Sequence, residues 1–192
     1  MSEEKNIFDL DWTKPDYGPI FEFRAEALQR LRENPQALAR LKLYYKDHWV
    51  DFINDWGMTF DPRKQGQKYS PFILFPRQEA YINWLYESYT QGERGLAEKS
   101  REVGFTWLCV AAGVCIWMFY PDAVVGFGSR KKELVDNGDA DPDSIFWKAR
   151  MFIDNLPIDF LPPNHTRGRK GMVIPNPGNR AVMKGEIGDE IG

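Results

Sequence analysis

From Trp107 to Tyr120 the chain reads W-L-C-V-A-A-G-V-C-I-W-M-F-Y, without a single charge. Wound as a helix, this run is apolar on every side, so other elements must surround it. It is too short to span a bilayer, which needs about 20 apolar residues. A membrane role is therefore unsupported, and the run predicts a buried central helix. With 192 residues the chain can build one domain with a sizeable core and a small appendage. Its 43% hydrophobic and 28% charged residues fit a folded protein, not a disordered one. The start, Met-Ser-Glu-Glu-Lys, has no apolar stretch of the kind a signal peptide needs.

The segments around the apolar run set its context. Arg94 to Lys99 reads as a short strand, Ser100 to Thr106 as a turn, and Ala123 to Gly128 as a fully buried strand after the Pro121-Asp122 break. Strand, turn, buried helix and strand make a βαβ unit, and hence a parallel sheet with helices on its faces. Upstream, residues 1–19 read as an arm and 20–33 as a short helix. Asn34 reads as an N-cap with Pro35 in the first helical position. Leu38, Leu41, Tyr45, Trp49, Phe52 and Trp56 then follow at spacings of three and four, one stripe of an amphipathic helix stopped at Gly57. Such a stripe is a core face. Residues 58–70 read as a polar connector, residues 71–78 as an extended segment turned by Pro76, and a helix runs on to about Thr90. Helices are expected near 130–136 and 142–155, and short strands in M-V-I-P and R-A-V-M-K-G-E.

Net charge and cysteine usage limit the function classes. The formal charge is -3 and the pI about 5.5, so the chain lacks the basic balance of a dedicated nucleic-acid binder. Any DNA contact must use local patches, Arg130-Lys131-Lys132 or the run from His165 to Lys170, and each alone also reads as a solvated loop. The aromatic residues read first as core. Cys109 and Cys115 lie on different faces of the apolar helix, as reduced thiols rather than metal ligands.

The chemistry concentrates in E-K-S-R-E-V-G-F-T-W, residues 98–107, between the expected strand and the buried helix. A phosphate-binding loop belongs at such a place, because amides and the helix dipole there face an anion. Of the pattern G-x-x-x-x-G-K-[ST], Gly104 and Thr106 are kept; Lys99 replaces the first Gly and Phe105 the Lys. Lys99 or Arg101 would supply the cation from the front of the loop, and Thr106 a hydroxyl for Mg²⁺. The other reading is an ordinary strand-to-helix turn. About twenty residues upstream stands F-P-R-Q, residues 75–78. The Gln78 amide can donate and accept together, which suits the N6/N7 edge of adenine.

L-F-P-R-Q followed by E-K-S-R-E-V-G-F-T resembles the large terminase subunits of tailed phages, above all the lambda-like and Mu-like group. G-F-G-S-R-K-K-E-L-V-D and D-P-D-S-I-F-W-K-A-R are similar to the region after the loop in that group. The resemblance covers roughly residues 70–192. It implies an α/β P-loop NTPase fold of the ASCE type, a parallel sheet flanked by helices, with an N-terminal helical extension. Residues 1–69 would form the arm and helical pair, and 70–192 the ATPase core. It implies ATP and Mg²⁺ as cofactors. Gln78 would read adenine, Lys99 would hold the β- and γ-phosphates, Arg101 would act on the γ-phosphate, and Thr106 would ligate Mg²⁺. Lys99, Ser100, Arg101, Glu102, Val103, Gly104, Phe105 and Thr106 would line the nucleotide, and Ser129 to Lys132 would face nucleotide or DNA. The implied activity is ATP-driven translocation of double-stranded DNA into a procapsid in the host cytoplasm. Partners would be a small terminase subunit, the capsid portal and further copies in a ring.

One departure stands out. The family's Walker B strand ends in Asp-Glu, but Asp189-Glu190 comes after Gly185, Glu186 and Gly188 instead of an apolar strand, so neither is assigned as catalytic. The chain is expected to stop before that acid and before the nuclease domain, leaving a fragment that binds ATP but hydrolyses it poorly. Two rivals remain: another helicase-like P-loop motor, and a non-catalytic module whose helical pair docks a partner. Nucleotide binding separates the docking module from both motor readings.

Overall fold

The computed structural model describes residues 10–100 and 103–188. It is a mixed α/β structure of seven helices and two small sheets among those residues. Helix α1 (Gly18–Glu33) is followed by α2 (Pro35–Asp47). Asn34 caps α2 by accepting from the Ala37 amide at 3.1 Å, with Pro35 opening the helix. The expected single stripe is two helices, because the chain breaks at His48 before α3 (Trp49–Trp56). At the break the Lys46 carbonyl accepts from the Trp49 indole and the Tyr120 hydroxyl, each at 3.0 Å. Those side chains replace the amides that a continuous helix would have supplied. Tyr45, Trp49, Phe52 and Trp56 still share one buried face. Gly57 does end α3, but in an extended conformation with φ -62°. Glycine is needed there for space: a Cβ would stand 2.5 Å from the Ile53 carbonyl oxygen.

The stretch read as a connector contains a hairpin. Strand β1 (Met58–Phe60) pairs antiparallel with β2 (Tyr69–Pro71), so a boundary between 69 and 70 falls inside a strand. Arg24 ties α1 to this turn, donating to the Asn54 and Gly57 carbonyls at 3.0 Å each. Phe72, Ile73 and Leu74 then run extended and buried into α4 (Pro76–Gln91).

The apolar run forms α5 (Phe105–Phe119), buried at Leu108, Val110 through Cys115, and Trp117. Around it pack α2, α3, α4, α7 (Ile145–Asp154) and two strands of the second sheet, as a helix apolar on all sides requires. Its last carbonyls are held by side chains of a later loop. Asn176 donates to the Trp117 carbonyl at 2.8 Å, and Asn179 to those of Trp117 and Met118. One hydrophobic cluster joins α2, α3, α5, α7 and the second sheet, so helices before residue 69 share a core with the elements beyond it.

The second sheet has the order β3 (Val124–Ser129), β5 (Val182–Ile187), β4 (Val173–Pro175). β3 runs parallel to β5, and β4 antiparallel to it, so the sheet is mixed. The one-turn helix α6 (Lys132–Val135) and α7 lie in the crossover from β3. Two expectations fail here. Residues 94–99 form no strand: Leu96, one of two apolar side chains there, is 97% exposed, and among the described residues no strand pairs with them. The strand-helix-strand unit expected around α5 therefore lacks its first strand. β3, in turn, is not fully buried. It is an edge strand whose residues alternate between half-buried and exposed, with Val124 66% exposed. Only the face carrying Val125 and Phe127 is covered. It meets α5 at Gly113, where a Cβ would lie 2.7 Å from the Phe127 ring.

Candidate functional site

The two segments singled out in the sequence meet in space. Pro76 opens α4 and Gln78 occupies its third position. The Gln78 Oε1 accepts from the Phe75 amide at 3.0 Å, closing the helix start. Its Nε2 donates to the Val103 carbonyl at 3.2 Å, across 25 residues of sequence. One amide thus caps α4 and tethers the loop that leads into α5.

That loop reaches Gln78 by a long return. At Gly92 the chain leaves α4 in a left-handed conformation, φ 69°. It passes Trp84, where Gly95 allows an approach that a Cβ would block at 2.1 Å. It ends at Gly104, also left-handed with φ 74°, immediately before α5. Gly104 needs that freedom, because a side chain in the left-handed region is strained. A Cβ there would be 3.4 Å from the Gln78 Nε2, an ordinary contact. The starts of α4 and α5 therefore lie side by side. The Phe105 ring packs on Tyr81 at 5.2 Å between centroids, and the Tyr81 hydroxyl meets the Cys109 thiol at 3.7 Å. Burial pushes both the Tyr81 phenol and the Cys109 thiol up, so both stay neutral.

Most of the expected site residues have a described place. Lys99 is exposed, with its Nζ 5.8 Å from the centre of the Phe105 ring. Ser100 is exposed, and Val103 is 41% exposed with its carbonyl bound by Gln78. Gly104 precedes α5, and Phe105 and Thr106 are its first two residues. Among the described residues no side chain hydrogen-bonds the Thr106 hydroxyl. Arg101 and Glu102 lie outside the described residues, as do Asp189 and Glu190. Gln78 is not a free adenine reader here, since both ends of its amide are engaged.

A further cation near the start of α5 was not singled out in the sequence. Lys148 of α7 is 9% exposed, and its Nζ lies 5.8 Å from the centre of the Trp107 ring. It donates to the Pro142 and Asp143 carbonyls at 2.6 and 2.7 Å. Burial lowers its pKa, against the pull of Asp143 and Asp141. Nothing in W-K-A-R marks this lysine, because its carbonyl partners are set by the loop ahead of α7. The basic run Arg130-Lys131-Lys132 is exposed at the end of β3.

A scan against protein-family models finds no match, and a search of curated proteins finds no significant match. The residues themselves decide whether a phosphate fits. The first-turn amides of a helix have no intrahelical acceptor, and α5 presents them beside Gly104, where no Cβ intervenes. The Thr106 hydroxyl is within that turn. Among the described residues no cluster of His, Cys, Asp and Glu could hold a metal by itself. A Mg²⁺ here would take the Thr106 hydroxyl and phosphate oxygens, with waters filling the rest of its octahedron. No helix among the described residues is long and apolar enough to cross a membrane.

Proposed function

We propose that this chain is the nucleotide-binding part of an ATP-driven DNA-packaging motor, the P-loop ATPase of a large terminase subunit. One observation carries the reading: Gln78 meets Val103 and Gly104 where α4 and α5 both begin. Two helix starts and a left-handed glycine at one place suit a phosphate chain. The parallel pairing of β3 with β5 beside α5 supports the P-loop sheet that the resemblance implies.

In this reading the α5 amides and Gly104 hold the phosphates. Lys99 and Arg101 add positive charge from the front of the loop, and Thr106 ligates Mg²⁺. Gln78 turns its amide to adenine by giving up its bond to Val103, which links base recognition to release of the loop. Bound ATP with Mg²⁺ would supply a γ-phosphoryl group, and its transfer to water with release of ADP would drive movement. Arg130, Lys131 and Lys132, and the His165–Lys170 loop, are the basic segments for double-stranded DNA. A small terminase subunit, the portal and a ring of copies complete the motor in the host cytoplasm.

Calorimetric titration with a non-hydrolysable ATP analogue and Mg²⁺ tests this. Lys99→Ala is expected to abolish binding and Gln78→Ala to weaken it. Equal binding by Lys99→Ala and the unmutated chain rules out the loop assignment. No binding by the unmutated chain favours a partner-docking module.

A further inference from the structure

Residues 10–17, the described part of the N-terminal arm, bring an aromatic ring to the start of α4. Asp11 bends the chain there. Its Oδ1 accepts from the Thr13 amide at 2.9 Å and from the Thr13 hydroxyl at 2.6 Å, and its carbonyl accepts from the Lys14 amide at 3.0 Å. Trp12 lies within that turn and packs on Phe75, with ring centroids 4.1 Å apart and planes at 44°. The arm is held again at Tyr17, whose ring centre lies 5.5 Å from the Lys64 Nζ.

This pair differs from the other large rings. Trp12 is the one exposed tryptophan of seven, at 40%, and Phe75 is 43% exposed. Neither ring belongs to the hydrophobic core cluster. The indoles of Trp49, Trp56, Trp117 and Trp147 each donate to an acceptor, whereas that of Trp12 has none among the described residues. Two adjoining rings left this bare gain little from folding, and a flat ligand would cover them.

Their position says which ligand. Gln78 lies between the pair and the glycine that opens α5. Its Oε1 end accepts from the Phe75 amide at 3.0 Å. Its Nε2 end donates to the Val103 carbonyl at 3.2 Å and lies 3.4 Å from where a Gly104 Cβ would stand. A nucleotide with its phosphates at the start of α5 and the edge of its base at the Gln78 amide needs a flat surface beyond that amide for the face of the base. Phe75 and Trp12 are the rings on that side.

Resting on the nucleotide-site reading above, we propose that Trp12 and Phe75 form the shelf on which the purine base of the bound nucleotide stacks, so that the N-terminal arm completes the site. The test is a titration, in Mg²⁺, with a non-hydrolysable ATP analogue and with inorganic tripolyphosphate, which keeps the phosphate charge and lacks the base. Trp12→Ala is expected to weaken the analogue about tenfold, the loss of one ring-on-base stack, and to leave tripolyphosphate unchanged. Trp12→Phe keeps an aromatic face. It is expected to hold the analogue's affinity while removing part of the tryptophan quenching that the analogue causes in the unmutated chain. Melting curves establish that both variants are folded. Unchanged or tighter analogue binding by Trp12→Ala overturns the shelf and leaves the nucleotide site standing. Equal weakening of the analogue and tripolyphosphate also overturns it, because the arm then acts on the phosphate end. No binding of either ligand by the unmutated chain overturns the nucleotide reading and the shelf with it.

Discussion

Gln78→Glu separates the two jobs of the Gln78 amide. A glutamate still offers an oxygen to the Phe75 amide, but it has no donor for the Val103 carbonyl. At the third position of α4 a carboxylate also gains from the helix dipole, by about 0.3–1 kcal/mol. The lost neutral hydrogen bond is worth about 0.5–1.5 kcal/mol. Global stability should therefore change by less than about 1 kcal/mol, since the two effects oppose each other. The tether has no such compensation. Losing about 1 kcal/mol there raises opening of the loop about fivefold. Arg94 and Lys99 are exposed trypsin sites within that loop. Native-state cleavage tracks local opening when reclosing is fast. Trypsin should then cut Gln78→Glu about fivefold faster at these sites, while its melting temperature holds. Gln78→Ala loses both bonds, which costs about 1–2 kcal/mol and lowers the melting temperature by about 2–4 °C per kcal/mol. Cleavage of Gln78→Glu at the unmutated rate would show that the Val103 bond does not hold the loop.

Other contacts give further tests. Asn176→Ala removes the donor to the Trp117 carbonyl and the acceptor of the Gly178 amide. It should lower urea stability by about 1–3 kcal/mol with the slope unchanged. Gly113→Ala drives a methyl into Phe127 and should cost about 1–3 kcal/mol, partly recovered when Phe127→Leu is added, as a double-mutant cycle will measure. The Asp136 carboxyl is held below the usual range: burial alone would raise it, but Arg150, the Gly138 amide and Lys132 outweigh burial. A depressed folded pKa adds stability above the unfolded value of about 3.9, and that stability is lost as pH falls through the folded value. Urea unfolding from about pH 6 down to about pH 2 should show this acid loss, and Asp136→Asn should flatten it.

Local signals were legible in the sequence. The Asn34-Pro35 cap, the stop at Gly57, a helix following the turn at Pro76 (it in fact starts at Pro76 itself) and the buried α5 each depend on neighbouring residues or on one period. Pairing between distant segments was not. β1 and β2 are three residues each, too short to show alternation, and their register is a tertiary fact. Residues 94–99 have no partner strand among the described residues, and Gly95 packs on Trp84 there instead. β3 looked fully buried because its residues are apolar, yet it lies at a sheet edge with one face uncovered. The break at His48 was hidden because Trp49 stays in phase with Tyr45. At the site, the order of F-P-R-Q and the loop pointed to one place. The double use of the Gln78 amide and the position of Lys148 depend on backbone carbonyls, which no sequence pattern displays.

The most direct test of the nucleotide-site proposal is the backbone amide spectrum of this chain during addition of a non-hydrolysable ATP analogue with Mg²⁺. The proposal predicts that the largest shifts fall on Gly104, Phe105, Thr106 and Trp107, that the Gln78 side-chain amide moves with them, and that Lys99→Ala removes both. Saturable binding that leaves these amides unmoved would contradict it.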